Sequence, residues 1–200
     1  MAAGMTIPMP AAVLAGGASR RMGRPKAALP WGAGTLAEHQ TGRLARLFEE
    51  VWLVVKEPPE WAAGPARVIL DGAAEAAAVH GLRRALAEAR DRVFVLAVDL
   101  PALAESVIRE IARRGIATAR AAVVPEADGR LQPLAAVWRR EALPELDRRL
   151  ARGERALQGL AKAVGAEIIP EADWRVFDPS GNSFLNANTL QEYAALRERA

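Results

Sequence analysis

The sequence predicts an α/β fold built on a largely parallel sheet, and three observations carry that expectation. Continuous apolar runs alternate with stretches of helical periodicity along the chain, the pattern of strands covered on both faces by crossover helices. The run Pro10–Leu14 ends in Gly16-Gly17 and a loop carrying Ser19, Arg20, Arg21, Gly23, Arg24 and Lys26. The most hydrophobic run, Val93–Val98, ends abruptly in Asp99-Leu100-Pro101. Both endings put chemistry at the carboxyl ends of strands, the edge where open α/β sheets bind ligands. The expected architecture is a Rossmann-like three-layer α/β/α arrangement with a mostly parallel central sheet.

Taken in order, the first nine residues read as a loose lead-in to the strand at Pro10–Leu14. Leu36, Gln40, Leu44, Leu47 and Phe48 fall mostly on one helical face, and Val51–Val55 is a continuous apolar strand. Pro58-Pro59 forces an extended loop, Arg67–Leu70 is a short strand closed by Asp71-Gly72, and Val79, Leu82, Leu86 and Ala89 form a helical stripe. Val93–Val98 belongs at the centre of the sheet. Leu103–Arg114 reads as a helix closed by Gly115, and Thr118–Val124 as a strand. Ala127-Asp128-Gly129-Arg130 supplies turn chemistry, and Leu131–Trp138 returns as a strand. Helices over about Glu141–Ala151 and Ala156–Val164 are split at Arg152-Gly153. Glu167–Pro170 and Arg175–Phe177 read as short strands and Asp178–Ser183 as a loop. Thr189 with Glu192 forms a capping box for a last helix.

Composition narrows the function classes. The chain has 200 residues, 51% of them hydrophobic and 26% charged, enough for one domain with a sizeable core. A net charge of +3 admits a nucleic-acid partner, but with one Tyr and four Phe aromatic interleaving is sparse, and a small polyanion explains the bias as well. There is no Cys and there are only two His, which argues against disulfides and zinc and leaves an oxygen-ligated Mg²⁺ open. No apolar run has the length of a membrane span, and the first ten residues lack the charge and apolar core of a signal peptide, so the reading is a cytoplasmic protein with no membrane partner.

The Val13–Lys26 stretch suits a polyphosphate. Glycines without Cβ let backbone N–H groups approach an anion closely, and the cations lie where phosphates would. It has neither the spacing of a Walker A loop nor that of the dinucleotide Gly-x-Gly-x-x-Gly turn. Lys26 is the candidate phosphate ligand as a mobile point charge, with Arg21 as a bidentate fork; a solvated basic face would also accommodate them. Asp99 at the end of its strand can hold Mg²⁺ against phosphates, or cap the helix that follows. Asp71 ends a strand on the same edge and could equally be a turn residue before Gly72. His39 and His80 are explained by an exposed helix face and a helix start.

The loop Leu14-Ala15-Gly16-Gly17…Arg21-Met22-Gly23…Lys26 resembles the Leu-Ala-Gly-Gly-x-x-x-Arg-Met-Gly…Lys loop of the molybdenum cofactor guanylyltransferases, members of a superfamily with the nucleotide-diphospho-sugar transferase type of fold. Asp99-Leu100-Pro101 matches that family's metal-binding Asp-x-Pro. The resemblance extends to Tyr193 through Gln132-Pro133, Gly153-Glu154-Arg155 and Phe184-Leu185-Asn186-Ala187-Asn188-Thr189. It departs where Ala77-Ala78-Val79-His80-Gly81 replaces Gly-Pro-Leu-x-Gly, where Val54-Val55-Lys56 lacks an Asn, where Pro25 replaces an Asp, and where Leu190 replaces a Pro.

The resemblance implies a single nucleotidyltransferase domain over 1–200, with about 10–100 binding nucleotide and about 101–200 the acceptor. It implies transfer of GMP from GTP to the phosphate of molybdenum–molybdopterin, with pyrophosphate released and Mg²⁺ as cofactor. By the family's pattern the nucleotide is held by Leu14, Ala15, Gly16, Gly17, Lys26, Asp71 and Asp99, catalysis rests on Lys26, Arg21 and Asp99, and Asp99 holds the metal. The acceptor is assigned to Gln132, Arg155, Asn186 and Asn188. A monomer is expected, with room for transient contact with proteins that deliver the cofactor or receive it. A cytidylyltransferase for the same cofactor is the nearest alternative; its kind carries Leu-Ala-Ala-Gly, and the second glycine, Gly17, would leave room for a purine. A sugar-phosphate nucleotidyltransferase and a non-catalytic GTP-binding delivery protein also stand as alternatives.

Overall fold

The computed structural model describes residues 6–16, 25–187 and 189–199. The chain runs β1 (Ile7–Leu14), a 3-10 turn (Lys26–Ala28), β2 (Pro30–Trp31), β3 (Gly34–Thr35), α1 (Leu36–Ala45), β4 (Phe48–Val55), β5 (Arg67–Leu70), α2 (Ala78–Glu88), β6 (Arg92–Ala97) and α3 (Glu105–Ala117). It continues through β7 (Ala122–Ala127), β8 (Arg130–Leu131), β9 (Ala135–Arg139), a 3-10 turn (Arg140–Ala142), α4 (Leu143–Ala151), α5 (Leu157–Ala163), β10 (Glu167–Ile169), α6 (Glu171–Arg175) and α7 (Leu190–Arg199).

The main sheet has the order β10-β7-β9-β6-β1-β4-β5, with β8 added to β7. β1 is parallel to both neighbours, β4 and β6, and β5 continues the parallel set. Only β9 runs antiparallel between β6 and β7 in the body of the sheet. From β1 the chain crosses to β4 on one side and later returns to β6 on the other. The crevice between β1 and β6 is therefore the point where strand order reverses, outside the carboxyl ends of the strands.

Strand alternation makes three layers. Ala11, Val13, Leu53, Phe94 and Leu96 face one side with Leu36, Leu44, Val107, Ile108 and Ile111 of α1 and α3. Ala12, Trp52, Val54, Val93 and Val95 face the other with Leu82, Leu86, Leu146 and Leu160 of α2, α4 and α5. Among the described residues no helix is long and apolar enough to cross a membrane.

Several boundaries differ from the sequence reading, each for a local reason. β1 begins at Ile7, inside the stretch expected to be loose, because Ile7 donates its N–H to the Leu47 carbonyl (2.7 Å) and buries with Met9. Its register shifts between Ile7 and Pro10, where two prolines lack ladder donors. Phe48 belongs to β4 and stacks on Phe94 (5.1 Å) instead of extending α1. α3 runs past Gly115 to Ala117; a Cβ at Gly115 would lie 2.6 Å from Val137, so the glycine serves close packing of α3 on β9, not helix termination. β7 starts only at Ala122, since the Thr118 hydroxyl accepts the Arg120 N–H and turns the chain first. The strand expected at Leu131–Trp138 is broken over 132–134, where Pro133 has no N–H. The stretch expected as a strand over Arg175–Phe177 forms none: Arg175 ends α6 and Val176 and Phe177 follow it; Trp174 anchors that helix by donating Nε1 to the Glu126 carbonyl (2.8 Å).

Candidate active site

The carboxyl ends of β1, β5 and β6 bring distant residues into one cavity of about 180 Å³. Its lining includes Leu14, Ala15 and Gly16 after β1, Asp71 after β5, Ala97, Val98 and Asp99 after β6, and Lys26. Backbone hydrogen bonds continue the ladder past the strands: Ala15 N–H to the Val54 carbonyl (2.9 Å), Val98 N–H to the Leu14 carbonyl (3.1 Å), and Asp71 N–H to the Val55 carbonyl (2.9 Å). The site is thus built on an extension of the sheet.

Lys26 opens a 3-10 turn pinned by the buried side chains of Ala27 and Leu29, with Leu29 N–H bonded to the Lys26 carbonyl (3.0 Å). This aims its ammonium across the crevice, where Nζ meets Asp99 Oδ2 at 2.7 Å. Both side chains keep about a fifth of their surface exposed, at 19% and 22%, so the pair borders the cavity and remains reachable by a ligand. The two oxygens of Asp71 divide its duties. Oδ1 accepts the Ala73 N–H (2.9 Å), the turn role open from sequence, while a Cβ built on Gly16 would lie 3.1 Å from Oδ2. The absent methyl of Gly16 is what lets the Asp71 carboxylate lie against the β1 loop.

The far wall was less legible. Ala77, Ala78 and Gly81, from the start of α2, line the cavity. Gly81 lets α2 approach β1, since a Cβ there would meet Leu14 Cδ1 at 3.3 Å. Gly81 is the glycine kept from the altered Gly-Pro-Leu-x-Gly segment; Ala77 and Ala78 gave no signal beyond small size. Leu134, missed from sequence, enters through the bond from Ala97 N–H to its carbonyl (2.7 Å).

The acceptor candidates lie around this centre. Arg155 pairs with Glu75 (Nη2 to Oε2, 2.6 Å) and lines a second cavity of about 380 Å³ with His80 and Arg83, which shares Asp71 with the first. Gln132 is beside that wall, with Nε2 donated to the Arg130 carbonyl (3.3 Å), and does not line the first cavity. Asn186 is exposed, but its neighbour Ala187 donates its N–H to the Asp99 carbonyl (3.0 Å), which docks that segment behind the strand end. Gly17, Arg21 and Asn188 lie outside the described residues. His39 is not on an exposed face: it is half-buried, its ring lies tilted against Trp31 (5.2 Å between centroids), and burial with the nearby Arg43 charge lowers its pKa to about 4.

The donor set suits a small hard cation only in company with a ligand. Among the described residues no group of three His, Cys, Asp or Glu could enclose a metal ion. A single carboxylate on a strand end fits Mg²⁺, which keeps most of its water and shares phosphate oxygens.

Comparison with known proteins identifies the family. The model of the MobA-like NTP transferase domain matches residues 11–169. A probable molybdenum cofactor guanylyltransferase of Mycobacterium tuberculosis is 39% identical over 176 residues, covering 85% of this chain and 87% of the relative. One from Chloroflexus aggregans is 34% identical, with 88% of each chain covered. Among solved structures, molybdopterin-guanine dinucleotide biosynthesis protein A of Archaeoglobus fulgidus superposes with a TM-score of 0.82 over 96% of this chain and 98% of that one, at 24% identity, and shares the fold. With a sheet-edge cavity that joins Gly16, Lys26 and Asp99, and with the family model spanning most of its length, this chain belongs to the MobA-like NTP transferases.

Proposed function

We propose that this protein transfers GMP from GTP to the terminal phosphate of molybdenum–molybdopterin and releases pyrophosphate. The observation that carries the reading is the Lys26–Asp99 pair at 2.7 Å, facing the β1 glycine loop and Asp71 across one cavity. An oxygen of the acceptor phosphate attacks the α-phosphorus of GTP, a new P–O bond forms, and the bond to the bridging oxygen of the β-phosphate breaks. The electron pair leaves with pyrophosphate. Such transfers need positioning and charge stabilisation and no covalent nucleophile.

In this reading the chain's own groups divide the work. Backbone around Leu14–Gly16 seats the nucleotide. Lys26 moves from Asp99 onto the phosphates and meets the charge that develops on the leaving group, with Arg21 as a second cation. Asp99 would hold Mg²⁺, which when bound offsets phosphate charge. The acceptor would approach from the side of Gln132, Arg155, Asn186 and Asn188. Asp71 Oδ2 is the acceptor available to the N–H donors of guanine.

The cytidylyl alternative is addressed by Gly16. Set against Leu-Ala-Ala-Gly, residue for residue, the exchange falls at Gly16 and not at Gly17. A methyl there would press on Asp71 Oδ2, the contact this reading gives to the purine. Calorimetric titration with GTP, CTP and ATP, each with Mg²⁺, tests the reading. It requires GTP to bind most tightly; tighter binding of CTP would move the protein to the cytidylyl branch.

A further inference from the structure

Helix α1 turns a polar face toward the segment that carries Asp99. Gln40 is fully buried and donates Nε2 to the Val98 carbonyl (3.4 Å), immediately before Asp99. Arg43, one turn on, donates Nη1 to the Pro101 carbonyl (2.7 Å) and to Gln40 Oε1 (3.2 Å), and Nη2 to the Leu103 carbonyl. The segment is therefore held on both sides of Asp99 by one helix face. On its other flank, Ala187 donates to the Asp99 carbonyl, and the Ser183 hydroxyl accepts the Ala104 N–H (3.1 Å).

This arrangement costs solvation. Burial is the largest influence on Arg43 and lowers its pKa, against the raising effect of the nearby Glu105 charge, and its guanidinium donates to carbonyls and an amide oxygen. The planar fork matches diverging carbonyls, whereas a lysine presents a single point charge. The Pro101 and Leu103 carbonyls cannot swing away without leaving the guanidinium unpaired, so the segment is tied down just beyond Asp99, and Gln40 holds it just before.

We propose that Arg43 and Gln40 are positioning residues that set the direction of the Asp99 carboxylate toward Lys26 and the nucleotide cavity. The functional half of this statement rests on the nucleotidyl-transfer reading above; the structural half does not.

The test uses Arg43→Lys, with Gln40→Met as the variant that leaves Arg43 in place should the first fail to fold. Amide hydrogen exchange is followed at Leu100, Leu103 and Ala187, whose N–H groups bond within or onto this segment, and at Val13 and Leu53 as controls. Pyrophosphate release from GTP in the presence of molybdenum–molybdopterin as acceptor is measured against Mn²⁺ concentration. Exchange is expected to accelerate at the first three amides and not at the controls. The Mn²⁺ needed for half-maximal rate should rise roughly 10–100-fold, as when partners of a metal ligand are removed. GTP affinity without the cation should stay as in the parent. Unchanged exchange at the three amides would overturn the proposal. So would faster exchange with an unaltered cation requirement, which would leave Arg43 a stability contact only. If the parent protein releases no pyrophosphate, the functional reading fails, while the exchange data still decide whether α1 orders the Asp99 segment.

Discussion

Lys26 and Asp99 are 73 positions apart in sequence and 2.7 Å apart in space. Each was legible alone because a strand that stops in Gly or Asp announces a change of chemistry at the sheet edge. Their pairing was not, since it depends on how the 3-10 turn at Lys26 packs against α1. Leu134 and Ala187 were invisible for the same reason: they serve through backbone atoms, which residue type does not encode. Replacing Lys26 by Met is expected to lower kcat roughly 10²–10³-fold, the scale of losing one donor to developing charge. Steady-state pyrophosphate release reads this, and normal kinetics would remove Lys26 from the machinery. For Gly16→Ala, the methyl placed 3.1 Å from Asp71 Oδ2 should weaken GTP binding relative to CTP. Calorimetry would show the ratio of the two affinities; an unaltered ratio would mean that Gly16 does not select the base.

Among elements, α3 shows what periodicity conveys and what it omits. Its apolar stripe of Val107, Ile108 and Ile111 was legible, but its length was not, because Gly115 is kept for contact with Val137 and not as a stop. The same helix carries a buried charge, Glu110. Hydrogen bonds from Arg113 and Arg114 (2.7 and 2.8 Å) outweigh the cost of burial and lower its pKa from 4.5 to about 2. A carboxylate with a lowered folded pKa stabilises fully above its unfolded value, and the contribution is lost as pH falls from about 4.5 towards about 2. Glu110→Gln should therefore cost about 1–3 kcal/mol at neutral pH. Thermal melts of the two proteins should converge near pH 2; a difference that persists there would mean that the loss comes from packing and not charge. Residues 175–177 misled the reading because a short apolar run at a chain bend looks like a strand, yet Trp174 commits the segment to α6.

For the whole molecule, the three-layer architecture and the position of the site were legible from the alternation of buried strands with amphipathic helices. The return of the chain after the Asp128-Gly129 turn was legible too, but not that β9 inserts between β6 and β7 and runs antiparallel to both, since nothing in its residues says which strands it pairs with inside a covered sheet. Topology explains why these residues can act together: β1 starts the reversal of strand order, β6 completes it, and the crevice between them receives Gly16 from one side and Asp99 from the other. The most direct test supplies the protein with GTP, Mg²⁺ and molybdenum–molybdopterin and follows dinucleotide and pyrophosphate together. The account predicts the guanine dinucleotide form of the cofactor and pyrophosphate in equal amounts, with both lost in Asp99→Ala. Bound GTP with no pyrophosphate, or product formed only from CTP, would contradict it.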